Sequence, residues 1–410
     1  MPLTRRQTFL RRRIAVVAAL ALTLGGVGYL AGTGLAPVPA AAVELIEPAT
    51  LTQPAAELVW PDDGAGSIGA VGYPGLLGST GDQGSMPIAS ITKMVTALVL
   101  LEEKPLNGKE PGPDIRFTDD DVDIYYDVLA EDGSVAPVSA GMVLSQREAF
   151  EAMLLPSANN YSISLAIWAF GSVDAYLAEA EAWLTDNGLT DTTVADTSGL
   201  SPASVSSPAD LVRLGKLVLA DPVLAEIVSM ETSDLPIIGT VSNTNKLLGS
   251  NGVTGMKTGT TDEAGACLLY SAEFSVGGET ITVVGVMLGG DTHSALNASI
   301  VDLLDSVEPG FREVNLADKG TAYASYGTQW GQTSRAVAAE GASAVVWSDT
   351  PITAVPSARP VTLGKVGDSA GAIDFQVGES TVSVPLVLDG ELTDPGPAWR
   401  FTHPGELAAG

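Results

Sequence analysis

Residues 14–30 are apolar or small at every position, and the low-polarity run continues to Ala36. As a helix, such a stretch is long enough to span the hydrocarbon core of a bilayer. Arg5, Arg6, Arg11, Arg12 and Arg13 precede it, and no acidic residue occurs before Glu44. Basic flanks of this kind stay on the cytoplasmic side, so the chain beyond about Ala36 is expected to fold outside the cytoplasm, at the cell envelope. Two readings stand for residues 1–36, a retained membrane anchor and a cleaved signal peptide. Ala40-Ala41-Ala42 offers a small-residue cleavage site, whereas the length and glycine content of the run favour the anchor. Residues 37–55, rich in Ala and Pro, read as a linker.

The body that follows is acidic. The whole chain carries a formal charge of −29, although its first 43 residues hold five arginines and no acid. Such a surface repels phosphate backbones, which argues against nucleic acid as a partner. The single cysteine, Cys267, sits in an apolar run and reads as a small core residue. There are two histidines, His293 and His403. No multi-histidine metal site can be built from them, no metal or cofactor is called for, and any Ser-His-Asp triad would have to use one of the two.

Hydrophobic periodicity divides the body into a mixed domain, residues 56–308, and a β-rich domain, residues 309–410. In the first, residues 56–60 and 67–73 read as short strands. A helix starting at Ser90 follows, with Ile91, Met94, Val95, Leu98 and Leu101 at helical spacing. The acidic run from Asp119 to Asp123 reads as a solvated turn or helix start. Ser145-Gln146-Arg147-Glu148 is a capping box opening a helix that ends near Pro156. Helices are then expected over 161–170 and 173–187, and from Ser207 onward. Strands return at 255–259, 266–272 and 279–288, before a last helix over 295–307. This is an α/β (α+β) pattern, with a sheet assembled from both ends of the domain around a helical block. The β-rich domain shows β-branched runs at 335–339, 344–347, 361–366, 373–377 and 381–388. Trp330, Trp347 and Trp399 are expected in its core.

Three short motifs occur in order: Ser90-Ile91-Thr92-Lys93, Ser157-Ala158-Asn159 and Lys257-Thr258-Gly259. A serine becomes a nucleophile when a base takes its proton, and a lysine three residues on lies one helical turn away on the same face. Ser90 and Lys93 are thus a candidate nucleophile and base. Ser157 offers a hydroxyl for proton relay, and Asn159 an amide for positioning substrate. Lys257 offers a fixed positive charge to an anionic substrate. Gly259 would let a substrate backbone lie flat against a strand. Gly252-Val253-Thr254-Gly255-Met256-Lys257-Thr258 is not a phosphate loop, because Met256 stands where glycine must precede the lysine.

With these motifs the chain resembles the low-molecular-mass penicillin-binding proteins, serine-type D-alanyl-D-alanine carboxypeptidases of peptidase family S11. The stretch Gly255-Met256-Lys257-Thr258-Gly259-Thr260-Thr261-Asp262-Glu263-Ala264-Gly265-Ala266-Cys267-Leu268 is similar to the family's Lys-Thr-Gly region almost throughout. Asn243-Thr244-Asn245-Lys246-Leu247-Leu248, Asn187-Gly188-Leu189-Thr190-Asp191-Thr192 and Ser198-Gly199-Leu200 also fit. The resemblance covers roughly residues 56–307. It implies the penicillin-binding/β-lactamase-like transpeptidase fold, removal of the terminal D-Ala from peptidoglycan stem peptides, and β-lactam antibiotics as covalent inhibitors. It implies Ser90 as the acylated residue, Lys93 as base, Ser157 as relay and Asn159 as a substrate clamp. Lys257 and Thr258 would face the terminal carboxylate, with the N–H groups of Ser90 and Thr260 as oxyanion hole. One departure is visible. The family often carries an arginine after the last strand, whereas this chain reads Asp291-Thr292-His293-Ser294, leaving carboxylate binding to Lys257 and Thr258.

A serine β-lactamase is the nearest enzymatic rival, but residues 196–210 contain no glutamate to activate a deacylating water. A DD-endopeptidase would use the same residues. A wall-binding protein with a dead site is the alternative from another class, and the intact motifs oppose it.

Overall fold

The computed structural model describes residues 4–407. The first residues of the basic flank and the last three of the β-rich region lie outside the described residues. Two compact units divide the chain: one comprises Ala55–Arg312, the other Met1–Pro54 with Glu313–Gly410.

The Ala55–Arg312 unit is built on a five-stranded antiparallel sheet in the order Val253–Thr261, Gly265–Val276, Glu279–Gly290, Ala65–Ala70, Gly78–Thr80. Both ends of the unit supply strands, as the sequence pattern predicts. The long central strand alternates: Val284, Val286 and Leu288 join the core of the helical block, while Val283 and Met287 are buried outside it. Helix Pro208–Ala220 lies on the sheet through Gly215, where a Cβ would come within 2.5 Å of Val284. Only glycine permits that approach. Helix Thr92–Glu103 runs through the middle of the helical block, burying Met94, Val95, Ala97, Leu100 and Leu101. The capping box at Ser145 forms, with Ser145 Oγ accepting from the Glu148 N–H, and the helix it opens ends at Leu154. The acidic run becomes the first turn of helix Asp119–Ala130, capped by Thr118, where carboxylates favour the positive helix end. Residues 56–60, read as a strand, form none; their apolar side chains lie half-buried or exposed on the surface of the unit.

In the other unit a six-stranded antiparallel sheet has the order Ala42–Leu45, Ala322–Gly327, Thr333–Ala338, Ser380–Leu388, Ser369–Val377, Ile352–Ala358. Its first strand comes from the segment read as a linker, pairing Ala42 with Gly327 and Leu45 with Ala324. Residues 361–366 are not a strand, whereas Ile352–Ala358 is one. That strand escapes the sequence pattern because of Pro356, tolerated here because the strand is at the sheet edge. The core is formed by residues such as Tyr326, Ile373, Phe375, Val384 and Leu386. Trp330, Trp347 and Trp399 are half-buried, not core; Trp330 packs edge-on against Trp399, which stacks on His403. Helix Arg5–Gly34 belongs to this unit and buries none of its own residues. It is long and apolar enough to cross a membrane by length and composition.

Candidate active site

The Ser90 turn is a short 3-10 segment, Ala89–Ile91, leading directly into helix Thr92–Glu103. Ala89 adopts a positive φ of 45°, a strained conformation for a residue with a side chain. The hydroxyl of Ser90 does not cap the helix. It accepts a hydrogen bond from Lys93 Nζ at 2.9 Å. The helix buries Lys93 completely, and its amine makes two further contacts, donating to Asn159 Oδ1 at 2.6 Å and to the Ser198 carbonyl at 3.1 Å. Burial, and then the nearby positive charge of Lys257, hold the Lys93 amine well below its ordinary pKa, against the opposing pull of Asp196. A buried amine pushed toward its neutral form, in hydrogen-bond contact with a serine hydroxyl, has the geometry and protonation tendency that a general base requires.

Asn159 begins helix Asn159–Phe170 and is 4% exposed. Its backbone N–H donates to Ser134 O, which fixes the helix start against the loop after Ala130. The side chain is thus a partner of the base as well as a candidate substrate contact. Ser157, two residues earlier, is buried at a φ of 64°. The structure places it beside the helix start in this left-handed conformation, but joins its hydroxyl to neither Lys93 nor Lys257 by a hydrogen bond.

The third motif lies on the edge strand Val253–Thr261. Lys257 is 1% exposed, and burial pushes its pKa down to about 7. Its amine donates to the Thr258 carbonyl at 3.1 Å. Thr258 Oγ1 bonds Thr244 Oγ1 at 2.6 Å, and Thr260 Oγ1 bonds His293 Nε2 at 2.6 Å. Gly259 faces the nucleophile turn closely. A Cβ there would lie 2.9 Å from the Ile88 carbonyl and 3.2 Å from the Ser90 N. Glycine is therefore required by the approach of this strand to the nucleophile turn. That approach brings the Ser90 and Lys257 motifs to one cleft.

Sequence reasoning missed several groups. Asp196 accepts from the backbone N–H groups of Ser198, Gly199 and Ser201 and shapes the loop that presents the Ser198 carbonyl to Lys93. The run Asp196-Thr197-Ser198-Gly199 carries the turn signal that could have flagged it. Gly199, at a φ of 82°, packs so closely on the nucleophile turn that a Cβ would sit 1.8 Å from the Ala89 carbonyl. Thr244 lies in a segment already matched to the family and His293 in the stretch that lacks the family's arginine, but nothing in the sequence paired them with Thr258 and Thr260.

Comparison with known proteins gives this arrangement its context. A family described as D-alanyl-D-alanine carboxypeptidase, peptidase S11, matches residues 76–292. A D-alanyl-D-alanine endopeptidase of Haemophilus influenzae is 29% identical over 218 residues, covering 52% of this chain and 70% of that protein. The D-alanyl-D-alanine carboxypeptidase DacA of Escherichia coli K12 is 27% identical over 252 residues, covering 60% of this chain and 61% of its own length, so the match spans less than two thirds of that relative. Among solved structures, a peptidoglycan synthesis regulatory factor (PBP3) from Streptococcus pneumoniae superposes with a TM-score of 0.60 at 21% identity, covering 82% of this chain and 100% of the other. Penicillin binding protein 5 from Haemophilus influenzae superposes with a TM-score of 0.58 at 18% identity, covering 82% and 98%. At these identities the superpositions speak for the penicillin-binding fold alone. With the family match spanning more than half of the chain and carrying all three motifs, the protein belongs to the peptidase S11 family of D-alanyl-D-alanine carboxypeptidases and is a serine peptidase.

Proposed function

We propose that the protein removes the terminal D-Ala from peptidoglycan stem peptides through an acyl-enzyme on Ser90. The observation that carries this reading is the 2.9 Å contact between Ser90 Oγ and the wholly buried amine of Lys93. Neutral Lys93 takes the Ser90 proton as Oγ attacks the carbonyl of the penultimate D-Ala. The oxyanion is held by the N–H groups of Ser90 and Thr260. The proton passes to the departing D-Ala nitrogen from Lys93, with Ser157 as relay. Water then cleaves the ester with Lys93 again as base. Lys257 and Thr258 hold the terminal carboxylate, Thr258 oriented by Thr244, and Asn159 contributes to both base and substrate. β-Lactams, whose ring carbonyl and carboxylate present the same two features, acylate Ser90 and leave slowly. The N-terminal helix tethers the enzyme to the cytoplasmic membrane with the catalytic unit on the envelope side.

Slow deacylation of a β-lactam is supported by the loop acids. Asp196 is occupied by backbone N–H groups, and Asp210 accepts from Asp191 N and Thr192 Oγ1. Neither carboxylate is left to activate water, which favours the carboxypeptidase over the β-lactamase. The deciding experiment measures D-Ala release from a pentapeptide by the wild type and by Ser90→Ala, beside labelling with a fluorescent penicillin. Release at the wild-type rate by Ser90→Ala would end this reading. The relative named as an endopeptidase supports a second activity on cross-linked peptides; release of monomers from a purified cross-linked dimer is its test.

A further inference from the structure

His293 opens helix His293–Val307, just beyond the end of strand Glu279–Gly290. Register pairs Gly290 with Ala266 and Ala266 with Thr260. The helix therefore starts two strands away from the edge strand of the cleft, about 10 Å across the sheet. The imidazole closes that gap, with Nε2 2.6 Å from Thr260 Oγ1. Helical periodicity explains its aim. Leu296, Ile300, Leu303, Leu304 and Val307 form the buried stripe of the helix, and His293 continues this stripe by one turn toward the edge strand.

The surroundings of the ring are cationic on the cleft side. Lys257, on the edge strand, is the charge whose field reaches it; burial and then Lys257 hold the imidazole below its usual pKa. The neighbouring strand contributes Ala266, which is uncharged. Asp262 and Glu263 occupy the exposed turn between the two strands, and Asp291 lies exposed ahead of the helix. The first turn of the helix itself carries no acid. The ring thus stands half-buried beside a cation, with no carboxylate among the described residues paired to it. An anion arriving next to Lys257 and Thr260 would reverse that balance and draw a proton onto the ring.

We infer that His293 is a third carboxylate-binding group of this site, so that the C-terminal carboxylate of the peptide is held more tightly as the imidazole takes up a proton. This inference rests on the carboxypeptidase reading for the identity of the anion. Beside Lys257 and Thr258, the hydrogen-bonded pair of His293 and Thr260 adds a member whose charge changes with pH.

The test compares wild type, His293→Gln and His293→Arg on a peptide ending in D-Ala-D-Ala with a free carboxylate. KM and kcat are measured from about pH 5.5 to about pH 7.5, the range over which a histidine changes charge. The wild-type KM should fall roughly five- to tenfold on acidification, the span of a typical coupling between proton and anion. His293→Gln should lose the His293 share of that fall and keep the share carried by Lys257, which sits at about 7, and His293→Arg, charged throughout, should show a lower KM than the Gln variant at both ends. A Gln variant that follows the wild-type KM profile overturns the inference. So does a uniform loss at every pH that Arg fails to rescue, the mark of a merely structural residue. The rate of Ser90 acylation by benzylpenicillin, itself a carboxylate, is followed in parallel. A protein that takes up penicillin but releases no D-Ala sinks the carboxypeptidase reading. The acylation profile still judges His293, because identical pH dependence in wild type and Gln variant overturns its role.

Discussion

Lys257 lies close enough to Lys93 for its charge to push the Lys93 amine toward the neutral form, and both side chains are almost wholly buried. The proposed reaction needs the two lysines in opposite states, Lys93 neutral as base and Lys257 charged as anion clamp. Lys93 is held well below its ordinary range, while Lys257 sits at about 7. Ser90 becomes active as Lys93, held well below its ordinary range by burial and then by Lys257, loses its proton. As pH rises through about 7, the free enzyme loses the Lys257 charge and the carboxylate is bound less well. The pH profile of kcat/KM should be bell-shaped, with the alkaline fall carried by KM. Replacing Lys257 with Arg, which stays charged, should remove that alkaline fall in KM; steady-state kinetics across the range checks it.

Asn159→Ala should act through the base. It removes the 2.6 Å acceptor that orients the Lys93 amine. A hydrogen bond to a charged or strongly polarised group is worth about 1.5–3 kcal/mol, so penicillin acylation should slow by roughly 10- to 100-fold. The apparent second-order acylation rate measures this, and an unchanged rate would show that Lys93 is held by Ser90 and the Ser198 carbonyl alone.

Gly199→Ala is expected to damage folding and catalysis together. The added Cβ would meet the Ala89 carbonyl at 1.8 Å, in a backbone region with φ of 82°. Steric overlap and left-handed strain together cost about 2–4 kcal/mol. Urea denaturation of the purified variant should show the loss, and acylation should fall because Ala89 adjoins Ser90.

Gly259→Ala separates a role in the nucleophile turn from a role in seating the substrate backbone. Its Cβ would press on the Ile88 carbonyl at 2.9 Å and on Ala89 Cβ at 3.1 Å. If the glycine serves the nucleophile turn, acylation by small β-lactams and by long peptides should fall alike, by roughly 100-fold for a misplacement near 1 Å. Selective loss with long peptides would return the glycine to the substrate.

What was legible in the sequence is what chemistry and periodicity demand locally. Ser90 and Lys93 must be one helical turn apart, and the continuous apolar run around Val284 marks a central strand with both faces buried. What was not legible depends on partners brought from elsewhere. Nothing near Lys93 announces that the Ser198 carbonyl, from a turn shaped by Asp196, will share its amine. Thr244 reaches Thr258, and His293 reaches Thr260, only because the sheet register puts them there. Residues 56–60 look like a strand because four of the five are apolar, yet they pair with no strand among the described residues and lie on the surface of their unit, with the Val59 N–H donating to Ser306 Oγ. Residues 352–358 look unlike one because of Pro356, yet the sheet edge accommodates it.

The strand Ala42–Leu45 covers one side of the six-stranded sheet, pairing along Ala324–Gly327. Ala41 extends the attachment, donating from its N–H to the Val361 carbonyl at 2.8 Å. Loss of this short strand would bare Ala322–Gly327 as a new sheet edge, with backbone groups open to a second chain. Trimming the chain past Leu45 would therefore create a self-association hazard: the few residues that follow the apolar helix also serve as a gatekeeper against oligomers and fibrils.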